Sequence, residues 1–176
     1  LSELASANIP EQHTKFVISG NIDRYEENWS DEPTQYIKRQ YKRPIVALLH
    51  TSVSPRRRQQ AKSTKLIFSG MSLRPKGMFD AGMFLAGKST IVVQSTSHYH
   101  LLYILSLCNS VLMARLYSVK FMSLALSGGY MRFGPPQIAR LPIRRIAFTT
   151  PLAERTQLTQ AAIASYAVQD LSLIHI

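Results

Sequence analysis

Residues 89–119 read STIVVQSTSHYHLLYILSLCNSVLMARLYSV, and this stretch decides the fold class. Its opening, Ser89–Gln94, is the strongest strand of the chain, because the β-branched Ile91, Val92 and Val93 favour extended backbone. Burial on both faces is expected, which places it at the centre of a sheet. From His98 to Val119 the period changes. Leu101, Leu105, Cys108, Leu112 and Leu116 recur at helical spacing, and Leu102, Ile104 and Val111 widen the stripe. Arg115 and Lys120 suit the negative end of such a helix. A few strands and two clear helices, without regular βαβ alternation, predict an α+β fold. The expected form is a small mixed or antiparallel sheet packed with a long Leu-rich helix and a C-terminal helix.

Working outward, Lys65–Ser69 (KLIFS) reads as a strand closed by Gly70. Small and apolar residues over Phe79–Gly87 predict a hairpin. Ser127–Phe133 (SGGYMRF) predicts a turn into a strand, with Gly128 and Gly129 free to take positive φ. Pro135, Pro136 and Pro142 are expected to break regular structure. Thr150–Tyr166 predicts the last helix, with Pro151 in its first turn, Glu154 at its positive end, and Leu152, Leu158 and Ala162 facing inward. Towards the N-terminus, Thr14–Ser19 reads as a short strand, residues 23–35 as irregular, and residues 36–64 as a basic connection. Within that connection Pro55 can open a short helix carrying Arg56, Arg57 and Arg58, the alternative being a solvated turn.

Charge is distributed unevenly. The net charge is +11, and from Pro33 to Ala153 there are 18 Lys or Arg against one acid, Asp80. Ordinary surfaces mix signs, so this one-sided stretch points to a polyanion. The single cysteine, Cys108, sits in an apolar run and can form neither an internal disulfide nor a zinc site, which fits a reducing cytoplasm. No apolar run approaches a membrane span. The N-terminus, LSELASANIPEQH, has no initiator Met or signal-peptide pattern and reads as a chain already in progress.

Catalytic constellations are not visible. A hard cation needs clustered carboxylates, and Asp80 stands by itself in the basic stretch. There is no phosphate-binding glycine loop and no Asn-Pro-Pro-Tyr string of the kind that positions a target amine. The five histidines are scattered. What the chain does carry is the chemistry of nucleic-acid contact: cations for phosphates and planar donors for base edges. Arg74, Lys76 and Lys88 flank the loops of the two best strands. Tyr130 and Arg132 share one strand face, opposite Met131 and Phe133. Lys38, Arg39, Arg56, Arg57 and Arg58 lie in the basic connection, and the arginine triplet is expected to grip phosphate. These ten residues are the candidate DNA contacts.

Four segments in order resemble a known family. They are KLIFSGMSLRPKGMFD (65–80), LAGKSTIVVQ (85–94), HLLYILSLCNSVLMARLY (100–117) and LSGGYMRFGPPQIARLPI (126–143). A strand followed by Arg-Pro, a Gly-Lys-Ser-Thr strand, a Leu-rich helix carrying Asn109-Ser110, and a Gly-Gly-Tyr-x-Arg-Phe strand resemble the TaqI-like C-terminal specificity domain of adenine-specific DNA methyltransferases and fused restriction–modification enzymes. FVISGNIDRY (16–25) is similar to the start of such a recognition region. The resemblance implies a partner, duplex DNA, and a separate catalytic domain of the same parent protein, which would bind S-adenosylmethionine and methylate adenine. It implies no catalytic residue and no cofactor on this chain. The expected division is residues 1–64 as the N-terminal part of the recognition region, 65–148 as its core, 149–170 as the last helix, and 171–176 as a tail. Within that tail SLIHI resembles translated adapter sequence, the alternative being a natural apolar helix end. A basic RNA-binding or ribonucleoprotein component is the rival reading, because Tyr36 and Tyr41 interleave with Lys38, Arg39, Lys42 and Arg43.

Overall fold

The computed structural model describes residues 1–4, 9–30, 33–94, 99–143, 151–154, 156–157, 160–161 and 164. In chain order the elements are β1 (Ser2–Glu3), β2 (His13–Val17), β3 (Thr34–Tyr36), β4 (Arg39–Tyr41), β5 (Pro44–Ala47), α1 (Pro55–Lys62), β6 (Lys65–Ser69), β7 (Met71–Ser72), β8 (Gly77–Asp80), β9 (Phe84–Ala86), β10 (Thr90–Gln94), α2 (Leu101–Cys108), α3 (Val111–Lys120), β11 (Met131–Arg132) and α4 (Pro135–Ala139). The fold is α+β.

Two sheets form the body. One is antiparallel with order β10-β6-β8, and the other is mixed with order β1-β5-β2-β9. Period-two alternation along β6 explains their stacking. Leu66 and Phe68 join a core with Leu101, Leu105, Cys108 and Tyr117 of the helices. Ile67, on the opposite face, joins Val17, Phe84 and Met78 between the sheets. Phe16 and Leu85, on the far face of the mixed sheet, pack with Ala61 of α1. The order of layers is therefore helices, sheet, sheet, helix.

KLIFS, not STIVVQ, is the central strand. All five residues of β6 are buried, whereas β10 pairs with β6 alone and is partly exposed. β-branched composition favours a strand but does not choose between centre and edge, which depends on what lies across the second row of backbone groups.

Residues 79–87 do not form a hairpin. Asp80 accepts the backbone N–H groups of Gly82, Met83 and Phe84, at 2.9, 2.7 and 3.3 Å, and Gly82 takes φ +104°. This turn sends β9 to the other sheet, where it runs parallel to β2 with Lys15 opposite Phe84. The mixed sheet thus joins strands from both sides of the boundary expected at Lys65. Asp80 is itself fully buried and ion-paired with Lys65, its cross-strand neighbour. The Lys65 ammonium also donates to the carbonyls of Ala61 and Ser63, at 3.0 and 3.1 Å.

The long helix is two helices bent by 66°. Asn109 ends α2, and Ser110, with extended backbone, accepts the Met113 N–H at 3.1 Å as the N-cap of α3. The Asn109 carboxamide is turned inward to Gly77, accepting its N–H and donating to its carbonyl, both at 2.9 Å. The buried stripe consequently changes register: it follows Leu101, Leu105 and Cys108, then passes to Met113 and Tyr117, while Leu112 is 78% exposed. Continuous Leu spacing does not reveal a break in which the caps replace one turn of helix.

Other expectations are corrected in smaller ways. The β3–β4 hairpin starts at Thr34, inside the stretch expected to be irregular, and residues 36–64 hold the rest of it with β5 and α1, not a bare connection; Ser54 caps α1 ahead of Pro55. Pro135 and Pro136 begin α4, where no amide donor is needed. Residues 152–154, 156–157, 160–161 and 164 are helical, with Leu152 73% exposed and not packed inward. Leu158, Ala162, Tyr166 and the tail 171–176 lie outside the described residues, as does His98. No single helix among the described residues is long and apolar enough to cross a membrane.

Candidate functional site

Gly70 ties together the segments that build the site. Its N–H is donated to the Ser89 carbonyl and to the Ser19 hydroxyl, each at 3.0 Å, and its carbonyl accepts the Phe133 N–H at 2.9 Å. Ser19 Oγ in turn donates to the Ser89 carbonyl. A side chain could not stand at Gly70, because its Cβ would lie 2.2 Å from the Ser89 oxygen. The ends of β6 and β10, the turn after β2 and the strand β11 are thereby drawn to one place.

Two adjoining hollows flank this knot, of about 500 and 510 Å³, and both are lined by Ser19, Gly20 and Met71. Lys88 and Arg132 line the first, and Arg74, Lys76 and Tyr130 the second. Five of the ten expected DNA contacts therefore share one groove. Met131 and Phe133 are buried while Tyr130 and Arg132 are exposed, so the alternation along this strand places the polar pair outward. Tyr117 holds that segment from beneath, its hydroxyl donating to the Arg132 carbonyl at 2.7 Å; burial pushes the phenol up to about 12. The groove has one acid on its lining, Asp23, whose carboxylate lies 3.6 Å from the Lys76 ammonium.

The arginine triplet is divided. Arg56 is exposed. Arg57 donates to the Ala86 carbonyl, and Arg58 donates to the carbonyls of Val53 at 3.0 Å and His50 at 3.4 Å. Two of the three guanidinium groups thus brace α1 against its surroundings. Lys38 and Arg39 stand apart from the groove residues on the β3–β4 hairpin, and both are exposed.

Sequence reading missed Ser19 and Met71 as parts of the site. Neither carries charge, and their role comes from contacts over long separations, such as the 51 residues between Ser19 and Gly70. Cys108 is buried, and burial pushes its thiol up to about 12, which makes it unreactive at neutral pH. No set of three His, Cys, Asp or Glu that could hold a metal occurs among the described residues.

No family model matches the chain, and no curated protein matches it. The geometry of the groove therefore bears the functional reading.

Proposed function

We propose that this chain is a sequence-specific DNA-recognition module of an adenine-N6 DNA methyltransferase or fused restriction–modification enzyme. It would grip duplex DNA in the cytoplasm while a catalytic domain of the parent protein methylates a flipped adenine. The observation that carries the reading is the groove around Gly70, where Arg74, Lys76, Lys88 and Arg132 converge with Tyr130. Its electrostatics reinforce this. The sole acid between Pro33 and Ala153 is buried against Lys65, so that stretch offers a polyanion no opposing surface carboxylate.

In this reading the cations neutralise phosphates, and Arg74 or Arg132 reads a base edge through its bidentate fork. Tyr36 packs edge-on against Phe16 at a centroid distance of 5.0 Å, which reduces the aromatic surface available for stacking single-stranded bases in the rival RNA reading.

The test is binding of the chain to duplex DNA over a range of salt. With about six cations on phosphates, log K should fall with log salt at a slope of roughly −5. Selection from a random duplex pool should then show that Arg74→Ala or Arg132→Ala relaxes preference at one base pair, with a loss of about 1–3 kcal/mol on the selected site. A flat salt dependence, or tighter binding to single-stranded RNA, overturns the proposal.

A further inference from the structure

The β3–β4 hairpin is a two-stranded ribbon that pairs with no other strand among the described residues. Tyr36 pairs with Arg39, so Ile37 and Lys38 form a two-residue loop at its tip. Both loop residues have positive φ, +48° for Ile37 and +63° for Lys38. Such tight hairpin loops take positive φ to match strand twist, and Asn or Gly normally fills them. A β-branched residue in this region is a steric outlier. Ile37 is nonetheless 77% exposed, so packing within the fold does not account for its presence.

Around this apolar tip the chemistry is cationic. Lys38, Arg39 and Lys42 are exposed, and no carboxylate among the described residues forms an ion pair with any of them. At the ribbon's base Glu3 accepts the Lys42 backbone N–H at 2.6 Å. Gln35 and Gln40 face each other across the ribbon and are exposed. Thr34 and Tyr36, on the alternate positions, are turned towards the body, Thr34 buried and Tyr36 against Phe16. The free parts of the ribbon are thus a polar face, a cationic rim and an apolar point.

We propose that this ribbon enters a groove of duplex DNA and that Ile37 wedges between adjacent base pairs while Lys38 and Arg39 hold the flanking phosphates. The inference rests on the DNA-recognition reading above. Stacked bases offer an apolar slot between two anionic rails, which is the complement of this tip, and apolar side chains wedged at base steps unstack and kink DNA.

The experiment uses the chain with relaxed circular plasmid DNA, topoisomerase I, and removal of protein before electrophoresis. Wild type should lower the linking number in proportion to protein bound. Ile37→Asn suits the positive φ of the loop, so it should fold at least as well. It should keep the wild-type salt slope, because no charge is removed, yet lose the topological shift. Lys38→Ala should retain the shift at saturation and flatten the salt slope by about one. An unchanged shift with Ile37→Asn, or no shift from bound wild type, overturns the wedge while leaving DNA recognition intact. Failure of wild type to bind duplex overturns both.

Discussion

Asn109 faces Gly77 as one strand faces another, through a pair of hydrogen bonds between a side-chain amide and a peptide unit 32 residues away. The contact is buried, and it fixes where the helix breaks. Gly77 also lies against the Phe68 ring, which a Cβ there would approach to 2.3 Å. Asn109→Leu should leave the buried Gly77 N–H without a partner, at a cost of about 1–3 kcal/mol, while the Gly77 carbonyl keeps the Tyr25 N–H at 2.8 Å. Chemical denaturation should show a midpoint shift of that size. Asn109→Asp should also destabilise, since its carboxylate would replace the donor facing the Gly77 carbonyl.

The Lys65–Asp80 pair should respond asymmetrically to single and double substitution. Lys65→Met strands a carboxylate in the interior and should destabilise by about 3–5 kcal/mol. Adding Asp80→Asn removes that charge while keeping an oxygen for the Gly82 and Met83 amides, so the double variant should recover much of the loss. Unfolding of all four proteins gives the cycle. Additive losses would mean that the two groups are energetically independent.

Arg56, Arg57 and Arg58 should separate by kind of effect. Arg57→Ala and Arg58→Ala remove braces to backbone carbonyls and should each lower stability by about 1 kcal/mol. Arg56→Ala should stay within about 0.5 kcal/mol of wild type. Melting curves measured beside the salt dependence of DNA binding distinguish bracing from phosphate contact.

Alkaline pH should weaken the fold. Burial raises Cys108 from its ordinary 9.0 to about 12 and Tyr117 from 10.0 to about 12. Unfolding frees both groups to lose protons at their ordinary values, so the unfolded chain binds fewer protons in this window. The stability they contribute is fully present below about pH 9 and declines as pH rises towards 12. Melting temperature against pH should fall across this range. Cys108→Ala should make the fall shallower.

The local rules made β6, the N-terminal half of α2 and the strand at Met131 legible, because each is written in residues adjacent in sequence. The alternation that exposes Tyr130 and Arg132 belongs to the same class. The partners of those elements were not legible. Val92 and Val93 look central in sequence, but β10 is an edge strand. Asn109 and Ser110 hide a break inside an apolar run: Ser110 caps α3 locally, but the partner that turns the Asn109 carboxamide inward, Gly77, lies 32 residues away. The candidate site followed the same pattern. Its cations can be picked out by charge, whereas Arg57 and Arg58 read as phosphate contacts because nothing local marks the carbonyls they reach.

The parallel pairing of β2 with β9 bears on synthesis. Lys15 meets Phe84 across 69 intervening steps of chain. At about 5–20 residues per second, β2 waits roughly 3–14 s after it is made before the strand that borders it exists. During that interval one edge of β2 is unpaired, and an unpaired edge is open to strands of other chains. β5, made in between, can cover the opposite edge early. The order of manufacture therefore exposes this protein to misassociation on the ribosome at one defined strand, and slower translation lengthens that period.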